Sequence, residues 1–241
     1  MNTTVYLQFA SLLYLTFLLA VFYIKKRVNN IETRFYGIFL ITNLVGLIID
    51  ILLALVSVKM NINSILYAIL AKSYLVYFIT WVALLCSYMY IISKKKKDIY
   101  EDIKYKKIDK GIKVMAIFYI INIILIIVFP NYFKVDNYGT HSYGLATYYT
   151  YFICIIYIVL SLLFIFKGNF KNNKIKYLPI IVFIILLIFA TIIQLLNPSL
   201  IFIPTAMTLT AFLMYHTIEN PDMKLINELE LARDSAEKAN K

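Results

Sequence analysis

Cysteine is almost missing: the chain has two among 241 residues. Cys86 and Cys154 each fall inside an apolar run, which fits small buried packing residues and excludes a disulfide framework, a nucleophile or a thiolate metal site. Histidine is equally scarce, with only His141 and His216. No His, Cys or acidic cluster has metal-ligand spacing. Six glycines form no phosphate-cradling loop, and there is no pair of catalytic carboxylates. The chain therefore carries no catalytic residue, no metal site and no cofactor motif. Acidic residues are few as well, 13 against 24 Lys and Arg. The positive charge lies between apolar runs, which points to a membrane surface and away from nucleic acid. The run Leu200–Thr217 lacks lysine, so a retinal-bearing light-driven protein is excluded.

What the chain has in abundance is apolar residues, at 62% with a mean hydropathy of +0.78. A soluble domain is closer to about half apolar. Runs of about 20 apolar residues are long enough to span a bilayer as helices. They occur at Val5–Ile24, Phe35–Val58, Ile65–Ile92, Val114–Phe129, Thr147–Phe166, Leu178–Leu196 and Leu200–Thr217. Spans in lipid must be helical, because an open strand leaves backbone groups unsatisfied. The expected fold is an all-α polytopic bundle of about seven transmembrane helices, residues 1–217, followed by an amphipathic cytoplasmic helix, residues 218–241. Pro130, Pro179 and Pro198 are expected at or beside span ends, and Pro204 inside the last span, where it would kink the helix.

Charge sets the expected orientation. The loop Lys25–Arg34 carries a net +3, Lys94–Lys113 a net +5 and Lys167–Tyr177 a net +4, whereas the intervening connections hold only Lys59, Lys134 and Asp136. Three positive loops on one face place that face in the cytoplasm. The N-terminus is then outside the cell membrane and the C-terminus inside. The first run has no basic residue before it and no small-residue cleavage site after it, so it reads as a retained span and not a signal peptide. The Lys94–Lys97 run reads first as a topology anchor, and second as an anionic-lipid or partner site.

After Thr217 the aromatic residues stop and charges alternate. Asn220, Pro221 and Asp222 suit a helix start. Leu225, Leu229, Ala232, Ala236 and Ala239 then recur at spacings of four, three, four and three, a short a/d seam that fits a homodimer through this helix or, equally, the stripe of an amphipathic helix lying along the membrane. No cap precedes Lys241, so a connector to a further module is expected.

The stretch LMYHTIENPDMKLINELELARDSAEKAN resembles the junction between the last span and the signalling helix in bacterial sensor histidine kinases. Glu219, Asn220, Pro221, Asp222 and Ala236–Asn240 carry the likeness, with the Tyr143–Gly144 turn and Lys176-Tyr177-Leu178-Pro179 as further matches. The resemblance implies a membrane-embedded input region that passes an extracellular or intramembrane signal to a kinase or other output domain expected in cis. The family's His-Glu-x-x-x-Pro motif and ATP-binding domain are not in this chain. His216 is not the phosphorylated histidine, since no acidic residue and proline follow it at the family spacing. A small transporter or channel, or a stand-alone membrane scaffold, is the rival reading; no clear internal repeat favours a transporter.

Two ionisable residues lie deep within spans. Asp50 precedes Asn61 by eleven residues and Lys72 follows it by eleven, so both sit at matched depth, about 16 Å along the helix. An ion pair is the expected arrangement, structural in one reading and a signal-dependent switch in the other. Gln194, Asn43 and Asn122 read as interhelical hydrogen-bond partners, with Gln194 also a ligand candidate. The largest outside connection, Pro130–Ala146, concentrates Tyr132, Tyr138, His141 and Tyr143 beside Phe133, Lys134 and Asp136. These residues fit an interfacial aromatic belt or a ligand pocket for an unidentified signal.

Overall fold

The structure, a computed structural model, describes residues 3–25, 31–59, 64–94, 110–136, 139–167, 174–196 and 202–219, together with Leu229, Arg233 and Glu237. The apolar runs fold as helices: α1 (Thr3–Ile24), α2 (Ile31–Lys59), α3 (Ile65–Lys94), α4 (Lys110–Val128), α5 (Leu145–Lys167), α6 (Lys174–Leu196) and α7 (Ile203–Met214). Among the described residues the architecture is all-α apart from one short hairpin, and five helices, α1 to α5, are long and apolar enough to cross a membrane. The apolar stretch of α6 is shorter, Tyr177–Ile193, and α7 has 12 residues.

Pro204 sits differently from expectation: it lies in the first turn of α7, where the missing N–H leaves no intrahelical bond unmade. The expected kink inside the last span therefore does not arise. Pro179 lies at the start of the apolar stretch of α6, as expected, but within the helix, which begins earlier at Lys174; it withholds the amide that the Ile175 carbonyl would accept. At its other end α7 passes into a π turn over Tyr215–Glu219.

The connection expected as a loop is a β-hairpin. Strands β1 (Tyr132–Asp136) and β2 (Gly139–Tyr143) pair antiparallel, with Tyr132 opposite Tyr143 and Lys134 opposite His141. Phe133, on the other face from Tyr132, meets the Tyr67 ring of α3 edge-on at 4.8 Å. Gly144 leaves the hairpin with φ +117°, and a Cβ there would sit 3.1 Å from the Pro130 carbonyl oxygen. The Ala146 amide then bonds that same carbonyl at 3.1 Å and starts α5.

The central helix is α3. Within its apolar window 67% of residues are buried, against 11% for α4 at the periphery. Trp81 of α3 is fully enclosed between Phe39 of α2 and Phe183 of α6, with ring centroids 4.8 and 4.6 Å away. Below it the Tyr77 ring lies directly on Gly46 of α2; a Cβ at that glycine would stand 1.9 Å from the ring. The small residue lets α2 and α3 approach closely, as glycine does at many membrane-helix interfaces. Overpacking this contact forces off-rotamer shifts, so Gly46→Ala is expected to destabilise the bundle by about 1–3 kcal/mol. Thermal unfolding in lipid of the variant against wild type measures this.

Candidate functional site

Polar residues in the bundle interior fall on matching faces of four helices. On α1, Gln8 and Ser11 are three apart and so are neighbours on one side, above the buried Leu15, Leu18 and Phe22. On α2, Asn43 and Asp50 are two turns apart with Gly46 between them. Tyr77 faces them from α3, and Thr205 and Thr208 face them from the first turns of α7. Gln8, Ser11, Asn43, Asp50, Tyr77 and Thr208 are all buried.

Their hydrogen bonds join the helices. Gln8 Nε2 donates to Asp50 Oδ2 at 2.6 Å, linking α1 to α2. Ser11 Oγ donates to Thr205 Oγ1 at 3.0 Å, linking α1 to α7. Asn43 bridges three helices: its Oδ1 accepts from the Tyr77 hydroxyl at 2.9 Å, and its Nδ2 donates to Thr208 Oγ1 at 3.4 Å. Thr208 passes its own proton to the Pro204 carbonyl at 3.0 Å. Tyr77 also lies 3.2 Å from Met207 Sδ, and the Tyr36 hydroxyl donates to the Ala211 carbonyl at 2.7 Å. Such interhelical bonds average about 0.6 kcal/mol each in membranes. Leaving one partner buried and unmatched costs more, about 1–3 kcal/mol, so the network acts mainly by specifying which faces meet. Gln8 Oε1 and Trp81 Nε1 are buried with no hydrogen-bond partner among the described residues.

Asp50 thus sits in the polar core, but Lys72 does not join it. The Lys72 ammonium donates instead to the Ile127 carbonyl in the last turn of α4, where the unsatisfied carbonyls and the helix dipole favour a cation. The expected ion pair is not formed. Asp50 on α2 turns towards α1, where it meets Gln8, while Lys72 on α3 turns towards α4. Of the other expected glue residues, Asn122 ties α4 to α5 by accepting from the Tyr149 hydroxyl, and its amide nitrogen bonds the Phe118 carbonyl. Gln194 lies on α6; its side chain is outside the described residues.

The hairpin gathers part of the outer aromatic set. Tyr132 and Tyr143 are cross-strand partners with ring centroids 5.6 Å apart, and both are exposed. His141 is opposite Lys134 in register, and Tyr138 lies outside the described residues. In the tail, Leu229 is exposed, and Arg233 and Glu237 make an exposed i,i+4 ion pair at 3.2 Å, of a kind that adds little stability. Leu225, Ala232 and Ala236 lie outside the described residues. Cys86 and Cys154 are free and buried.

Reading the sequence missed Gln8, Ser11, Tyr77, Thr205 and Thr208. A signal for most of them is present: the first and last spans each carry a polar pair three residues apart, Gln8/Ser11 and Thr205/Thr208, which puts each pair on one helix face. Tyr77 gave none, since aromatic residues are common in every span. A cavity of about 150 Å³ lies between α3 and α4, lined by Thr80, Ser87, Met115, Tyr119 and neighbours. Its hydroxyls already have partners: Thr80 donates to the Val76 carbonyl and pairs with Tyr119 at 2.7 Å, and Ser87 donates to the Ala83 carbonyl.

No protein-family model matches the chain, and comparison with curated proteins finds no match.

Because Asp50 and Lys72 share no partner, Asp50→Asn and Lys72→Met are expected to act independently, with effects that add to within about 0.5 kcal/mol. A double-mutant cycle on thermal or denaturant unfolding measures the coupling. Partial rescue in the double variant would restore the ion pair.

Proposed function

We propose that the chain is the membrane-embedded signal input region of a two-component sensor histidine kinase. In this reading seven spans place the N-terminus outside and the C-terminus in the cytoplasm, the tail pairs two copies, and an output domain follows in cis. The observation that carries the reading is the way α7 is held. This helix leads into the charged tail, and it is tied by side-chain hydrogen bonds to α1 through Ser11, and to α2 through Asn43 and Tyr36. Any rearrangement of α1, α2 or α3 in the polar core therefore pulls on the one helix that leaves the bundle towards the output. The seam of Leu225, Leu229, Ala232 and Ala236 is shallow, which suits an element that shifts between two registers of similar energy. The signal enters through the aromatic hairpin or from within the bilayer. The likeness of the tail to the kinase junction supplies the output class.

A transporter is the second reading, favoured by Asp50, because a carboxyl deep in a membrane span often marks an ion or proton path. Solute or proton flux in proteoliposomes would support it.

Two measurements test the first reading. Cysteine labelling of intact cells is expected to reach Asn2, Asn63 and Asn137 from outside, and Lys96, Asn172 and Lys238 only after the cytoplasmic face is opened. Disulfide scanning of the tail in membranes is expected to peak at 225, 229, 232 and 236 and to be weak at Asn227 and Asp234. Flat cross-linking, or an outside-accessible Lys238, would remove the relay.

A further inference from the structure

Gln8 and Asp50 pose a hydrogen-bond problem that neither solves alone. Gln8 is 1% exposed and Asp50 3%. The amide nitrogen donates to Asp50 Oδ2 at 2.6 Å, while the amide oxygen, Gln8 Oε1, is buried without a partner among the described residues. An ionised carboxylate has no proton to offer that oxygen. It would also be a buried charge without a counter-ion. Lys72, the cation at its level, is engaged with Ile127, and no described cation forms an ion pair with Asp50.

Among the described residues, the groups facing Asp50 from the packed elements are neutral. From α3 the hydroxyls of Tyr74 and Tyr77 lie within electrostatic reach. From the described part of α1 there is the Gln8 amide, since Tyr6 and Tyr14 are exposed on the far side of that helix. From α7 the neighbouring residues Thr205 and Thr208 do not titrate. Unpaired buried charge costs far more than a lost hydrogen bond, so the carboxylate form has nothing among the described residues to sustain it.

We infer that Asp50 is a proton-binding site that forms a carboxylic acid–amide pair with Gln8 in the interior of the bundle. One proton on Asp50 Oδ1 answers both deficits. It removes the charge, and it gives Gln8 Oε1 a donor while Oδ2 continues to accept from Nε2. The two side chains then exchange two hydrogen bonds in a ring. The last torsion of each side chain is broad, so a small rotation brings Oδ1 opposite Oε1 without moving the helices. Exchanging the two ends of the amide leads to the same conclusion. With the amide oxygen in the 2.6 Å contact instead of the nitrogen, two acceptors would face each other, and only a protonated Asp50 makes that contact a bond. The proton enters and leaves as H⁺, with no other bond made or broken. Removing it strands a charge and an amide oxygen beside Ser11, the next polar residue on the same face of α1, and Ser11 holds Thr205 of α7. That coupling of the proton to α7 rests on the relay reading; the proton site itself does not.

The test uses the full chain in lipid nanodiscs at neutral pH. Infrared difference spectra between wild type and Asp50→Asn are expected to show one protonated-carboxyl carbonyl band, lost in the variant. The same band shifts to higher frequency in Gln8→Leu, where the acid loses its partner. Asparagine presents the same donor and acceptor as the protonated acid, so Asp50→Asn is expected to melt with wild type. Asp50→Leu, which leaves both ends of the Gln8 amide unmatched, melts several degrees lower. Absence of the band at neutral pH, or an Asp50→Asn variant that fails to fold or melts with Asp50→Leu, would overturn the proton site. A band that titrates away as the pH is raised while tail cross-linking stays the same would keep the proton and remove the relay.

Discussion

A buried donor or acceptor in this bundle needs a partner, and Asn43 is where that constraint is met most fully. Its amide accepts a hydrogen bond from Tyr77 of α3 and donates one to Thr208 of α7 while standing on α2. Three helices are thereby fixed in azimuth as well as in position. Apolar packing alone does not do this in lipid, because the acyl chains around a helix are as apolar as a neighbouring helix. Remove the bridge and the face that α7 turns inward is selected only by Ser11 on Thr205 and Tyr36 on the Ala211 carbonyl.

Two kinds of attachment coexist in the bundle. Between α2 and α3 the contact is close and steric: Tyr77 rests on Gly46, and Trp81 is wedged between Phe39 and Phe183. Towards α7 apolar packing of Met207, Ala211 and Met214 is joined by hydrogen bonds at a few discrete atoms. The end of the bundle that carries the hairpin is closed separately, by Phe133 against Tyr67 and by Lys72 on the last turn of α4.

The helices were legible in the sequence because lipid imposes one rule on every span. The first run, Val5–Ile24, differs from α1 by two residues at its start, and Ile65 opens both the third run and α3. The hairpin was not read, although Tyr132–Asp136 and Gly139–Tyr143 bracket a short turn with Gly at its end. Aromatic residues at a membrane boundary have another explanation, the interfacial belt, and that explanation hid the strand pattern. Asp50 was legible as an anomaly, since a carboxyl in a span stands out. Its partner was not, because depth is readable from residue counts but azimuth is not. Lys72 had the right height and the wrong direction; Gln8, an amide in the first span, had both. Gly144 was legible as a turn and its reason became visible only with the chain folded, where a Cβ would press on the Pro130 carbonyl and the Tyr132 ring.

The π turn over Tyr215–Glu219 bears on the phase of the chain beyond α7. A π turn accommodates one residue more than the α-helical repeat. In a helix of 3.6 residues per turn, one residue is worth about 100° of rotation. A helix continuing from Glu219 is consequently out of step with the buried stripe of Ala206, Met207, Thr210, Ala211 and Met214, like a screw thread recut partway along a shaft. In the proposed relay, a tail helix would then stand in a different phase from the apolar face of α7, and absorbing or releasing that single residue would change the angle between them.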